Sequence, residues 1–168
     1  MANININLNP VEMMIYYWET IGDRCKVSDK YIISLAEDEN MKDLYDEELT
    51  KDSFRKVLSA ICNRELVNNP TKKESRFWSL NMWMLEDLDN MRKMVTAVKT
   101  LNLDHLKDKV NKDLTLVFVP ASTEESLVSG DKLLVNFFKI SIDPFNEDNV
   151  KFAGEDLKKY LEEKLLAI

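Results

Sequence analysis

The chain has 168 residues, 45% of them hydrophobic and 32% charged, the proportions of a folded domain large enough to bury a core without disulfides or metal. A formal net charge of −7 works against non-specific binding to nucleic acid or to an anionic membrane surface. With only 3 glycines and 4 prolines, long regular elements are favoured over loops, and one domain over 1–168 is the simplest organisation.

Asn3 to Leu8 alternates polar and apolar residues, the pattern of a short half-buried strand. Asn9-Pro10-Val11-Glu12 starts a helix whose Val11, Met14, Ile15, Trp18 and Ile21 lie on one side, ending at Gly22. Ser28 caps a second helix, with Tyr31, Ile32, Leu35 and Ala36 as its stripe. Met41, Leu44 and Tyr45 suit a short helical turn. Phe54, Val57, Leu58, Ile61 and Cys62 mark a third helix that closes near Pro70. Thr71 and Glu74 form a capping box for a fourth. From there Phe77, Met84, Leu88, Met91, Val95 and Val98 make one apolar stripe, which predicts a single central helix over 72–100, about 43 Å long. Asn81 interrupts that stripe, and a polar residue on a seam needs a hydrogen-bond partner when buried. Four helices in short succession predict a bundle-like region over about 9–110.

After Leu101 the pattern changes. Leu103, Leu106 and Val110 suggest a short helical piece, and Leu114–Val119 and Lys132–Ile140 read as strands. The connection between them, 120–131, is long for a hairpin and is expected to be mobile or functional. Val150–Phe152 reads as an edge strand, and Leu157, Tyr160, Leu161 and Leu165 give a last helix its stripe. The expected fold is therefore α+β and predominantly helical. A small antiparallel sheet and a C-terminal helix occupy about 111–168, and the N-terminal strand is free to join that sheet.

Cys25 and Cys62 stand singly within helical patterns, without a Cys-x-x-Cys pair, and read as small buried residues in a reducing compartment. No basic-plus-apolar leader is seen, and the longest apolar run, Met13–Trp18, is too short to span a bilayer. These features predict a cytoplasmic protein that engages neither membrane nor nucleic acid.

Chemistry-bearing patterns are sparse. Glu86-x-x-Asp89, with Asp43-x-x-Asp46 as a second pair, is similar in spacing to the carboxylates with which all-helical nucleotide pyrophosphohydrolases hold magnesium. On a regular helix, however, Glu86 and Asp89 fall on the far side from the Met84/Met91 stripe, facing away from any seam. His105 is the only histidine and has no nucleophile in its pattern. Lys72-Lys73-Glu74-Ser75-Arg76-Phe77-Trp78 mixes basic and aromatic residues as single-strand binders do, but the global charge opposes that use. The three tryptophans, Trp18, Trp78 and Trp83, share the first and fourth helices. With Arg76 and Asn81 as polar handles, they are the candidate ligand-binding residues, against core packing as the other reading. The sequence thus points to a binding module without catalytic residues, metal or cofactor. Its partner would be another protein or a second copy in a homodimer. The alternative is a metal-dependent hydrolase of a phosphorylated small molecule using Glu86 and Asp89.

Overall fold

The computed structural model describes residues 2–168, and its fold is α+β and predominantly helical. Strand β1 (Ile4–Asn7) leads directly into helix α1 (Asn9–Gly22), where the Asn7 side chain accepts from the Asn9 N–H at 2.9 Å. Helices α2 (Asp29–Ala36), α3 (Lys51–Cys62) and α4 (Lys72–Glu86) follow. Each starts at an Ser or Thr cap: Ser28, Thr50 and Thr71, the last two in full capping boxes. Between α2 and α3, a 3-10 turn over Glu39–Leu44 buries Met41 and Leu44. Helix α1 packs on α4, α2 on α3, and α3 on α4.

The expected central helix over 72–100 is broken at Asp87, and α5 (Leu88–Lys99) sets off in its own right. Asp87 leaves helical geometry at φ −140°, ψ 74°, and its carboxylate accepts from the Asn90 N–H at 3.0 Å. A short acidic side chain that satisfies a free amide of the following helix competes with helix continuation. Gly22 accommodates the junction, because a Cβ there would stand 2.6 Å from Leu88 Cδ1. Phe77, Met84 and Met91 are fully buried, whereas Leu88, at the break, is only half-buried.

The sheet also departs from expectation. Strands β2 (Leu114–Val119), β3 (Ser126–Ser129) and β4 (Lys132–Asn136) join β1 in a four-stranded sheet ordered β1-β2-β4-β3. It is mixed, not antiparallel: β1 and β4 both run parallel to β2, and only β3 opposes β4. The helices that intervene between β1 and β2 provide the crossover that parallel pairing requires. Residues 120–131 are no simple loop. They cross the end of β4, form β3, and return through a tight turn at Gly130, whose φ of 59° suits glycine. β4 lies in the slot so created, held at its end by Asn136, whose Nδ2 donates to the Glu124 carbonyl and whose N–H donates to that of Glu125.

The second predicted strand stops early. Asn136 Oδ1 accepts from the Phe138 N–H at 3.0 Å, turning the chain into a 3-10 segment over Phe137–Lys139. Beyond it lies a separate antiparallel sheet, β5 (Ile140–Asp143), β6 (Asn146–Phe152) and β7 (Glu155–Asp156), followed by α6 (Leu157–Leu166). One continuous apolar core runs through both sheets and the helices. Among the described residues no helix is long and apolar enough to cross a membrane.

Two outcomes test this account in urea titrations. Met84→Ala, which empties a fully buried site, should cost about 2–5 kcal/mol. Asp87→Ala should cost about 0.5–2 kcal/mol through loss of the α5 cap, and a neutral result would mean the break does not depend on that carboxylate.

Candidate functional site

The aromatic candidates divide into two sets. Trp18 and Asn81 are completely buried and bonded to each other: the indole N–H donates to Asn81 Oδ1 at 2.9 Å. Asn81 Nδ2 in turn donates to the Phe77 carbonyl one turn back, also at 2.9 Å. The Trp18 ring lies against Phe137 and Phe138, with centroids at 5.7 and 5.9 Å. Every polar atom of the Trp18–Asn81 pair is thus engaged within the protein. The remaining three are more open. Arg76 and Trp83, two helical turns apart on α4, are exposed, and Trp78 is half-buried with an indole N–H that is buried and without a hydrogen-bond partner among the described residues.

The carboxylate pairs are also dispersed. Glu86 and Asp89 are exposed on either side of the Asp87 break, and Asp89 is tied to Arg92 at 3.2 Å. Asp46 is held by Lys73, which also reaches Glu124 and so joins the segment before α3, the start of α4 and the chain leading to β3. This contact holds the Asp46 carboxyl below its usual range, chiefly through the Lys73 hydrogen bond. Arg92 does the same to Glu19 through two bonds of 2.8 Å. His105 is exposed, its Nε2 3.8 Å from Glu162. Among the described residues, no three His, Cys, Asp or Glu side chains converge as a metal site would require.

Three features lie outside those sequence candidates. The first is a groove of about 680 Å³ between α5 and the second sheet, floored by Ala97, Leu101, Ile142, Val150 and Leu157. Lys93 bridges its rim to Glu147 at 3.0 Å. Beside it, Phe145 stands 97% exposed at the β5–β6 turn, where Asp143 accepts from the Phe145 N–H. The Asp143-Pro144 pair marks this turn in the sequence, whereas the exposure of the aromatic that follows has no signal there. The second feature is β3, which pairs only with β4 among the described residues and leaves Leu127 and Val128 36% and 53% exposed. The third is a small cavity shared by Cys25 and Cys62. Only Cys62 is buried; Cys25 is exposed, which corrects the reading of both as small core residues. The reason is that the chain leaves α1 at Gly22, so Cys25 falls in the turn beyond the helix.

Compared with family models, curated proteins and solved structures, the chain matches none.

The Trp18–Asn81 bond is expected to be structural. Asn81→Ala leaves a buried indole N–H without an acceptor and should cost about 1–3 kcal/mol in a denaturation titration. A double-mutant cycle with Trp18→Phe should show coupling; strict additivity would remove the bond from the account. The Asp46–Lys73 contact has a pH signature. Because the folded-state carboxyl is depressed, its stabilising contribution is present above the usual aspartate value of about 3.9 and is lost as pH falls through the lower folded value. Asp46→Asn should therefore flatten the acid limb of stability against pH.

Proposed function

We propose that this protein is a binding module of the cytoplasm, without catalytic activity of its own, that acts through protein contacts and first of all by pairing with a second copy of itself. The open edge of the four-stranded sheet supports this reading. β1 is flanked by the 3-10 turn over Asp104–Lys109, whereas the outer edge of β3 is unpaired among the described residues and β3 carries two exposed apolar side chains. Such an edge offers a row of free backbone N–H and C=O groups to an incoming strand. Two copies meeting at it about a two-fold axis satisfy both edges with one surface, the commonest arrangement in soluble oligomers.

The alternative, a metal-dependent hydrolase of a phosphorylated small molecule, has less behind it. Glu86 and Asp89 flank a helix break, and no third carboxylate, cysteine or histidine joins them among the described residues. The exposed Cys25 and the free thiol of Cys62 agree with a reducing compartment.

Light scattering at micromolar concentration should return about twice the chain mass. Leu127→Lys with Val128→Lys, two exposed positions whose change leaves the core intact, should return the single-chain mass. A wild-type monomer across a roughly hundredfold concentration range would sink the homodimer.

A further inference from the structure

Helices α1 and α3 end in the same way. In each, a basic residue two positions past the helix, Arg24 and Arg64, adopts a left-handed conformation, with φ of 63° and 58°. In each, the following amide bonds back to a carbonyl of the last turn, Cys25 N–H to Thr20 O and Glu65 N–H to Ala60 O. Residues at the two ends line one open cavity of about 290 Å³, Arg24, Cys25, Lys26, Cys62 and Arg64 among them. No carboxylate belongs to that lining. None of the three cations enters a salt bridge among the described residues, although the whole chain carries −7. Two thiols of unequal access therefore share a locally cationic cavity: Cys25 is open to solvent and Cys62 is buried.

Cys62 is already seated against the segment that carries Cys25. Its Sγ accepts from the Val27 N–H at 3.2 Å and donates to the Val27 carbonyl at 3.6 Å. Cys25 lies two residues upstream in an exposed turn held by one side-chain contact, Sγ to the Asp23 carbonyl at 3.8 Å.

We propose that this cavity is a dithiol redox site that undergoes exchange with an anionic low-molecular-weight disulfide. The Cys25 thiolate attacks one sulfur of the incoming disulfide; the S–S bond breaks, and the departing thiolate takes up the proton that Cys25 released. Carboxylates of the retained half lie against Arg24, Lys26 and Arg64, which line the cavity. The Cys62 sulfur then attacks that of Cys25 and expels the second half as a thiol. The balance is two protein thiols and one small disulfide giving one protein disulfide and two small thiols.

Oxidised glutathione, which is anionic, and cystamine, which is cationic, distinguish this site from an ordinary exposed thiol. Reduced full-length protein should react roughly three- to tenfold faster with glutathione disulfide, despite the acidic surface, and the preference should shrink in high salt. Intact-mass and peptide mapping should find a Cys25–Cys62 disulfide as the product. In Cys62→Ser the reaction should stop at a glutathionyl group on Cys25. Replacing Arg24, Lys26 and Arg64 by Gln should abolish the charge preference. Faster reaction of the wild type with cystamine would overturn the anion site without recourse to any variant. A glutathionyl adduct on Cys25 that persists equally in wild type and Cys62→Ser would overturn the role of Cys62.

Discussion

A buried amide ties the two longest helices together. Asn81 sits on the apolar stripe of α4 with no access to water, where an unpaired carboxamide would be costly. Its oxygen takes the Trp18 indole proton from α1, and its nitrogen returns a bond to the α4 backbone. The fully buried Trp18 ring can then lie against Phe137 and Phe138, the turn where the chain passes from the first sheet to the second. One hydrogen bond thus fixes the register of α1 on α4 and positions the surface on which the C-terminal half packs. A hydrophobic residue at 81 could fill the space, but it would leave the indole proton without an acceptor.

Ties of a different kind hold the outer parts. Lys73 collects Asp46 and Glu124, and Ser122 donates to the Lys73 carbonyl, so the segment that crosses β4 is anchored to the start of α4. This anchoring turns what looks like a long loop into a defined crossing, and it delivers β3 to the edge of the sheet. Arg92 and Lys93 perform a similar service for α5, binding Glu19 on α1 and Glu147 on the second sheet. These are exposed pairs, and their value lies in orientation more than in stability.

Of the candidate residues, the structure joins Trp18 to Asn81 and leaves Arg76, Trp78 and Trp83 on more open parts of α4. Sequence alone distinguishes these poorly, since an aromatic run that is apolar nearly all round does not say which side meets the core. The groove beneath α5 has no signature in the sequence either. Its floor is assembled from Ala97 and Leu101 of one region and Ile142, Val150 and Leu157 of another, with no spacing rule linking them. The shared cavity of Cys25 and Cys62 has the same character, because it exists only where two helix ends meet.

What the sequence determined by itself are the local choices. Helix starts at Ser28 and Thr71, the apolar stripes, the strand at Leu114–Val119 and the last helix all follow from side chains within a few residues of one another. Tertiary structure decided the break at Asp87, where the stripe continues from Met84 to Met91 while the cap and the Leu88–Gly22 approach redirect the chain. It also decided the parallel pairing of β1 with β2, strands separated by more than a hundred residues. Periodicity reports which side of an element is apolar, whereas pairing direction and the meeting of distant side chains depend on which surfaces find each other when the core closes.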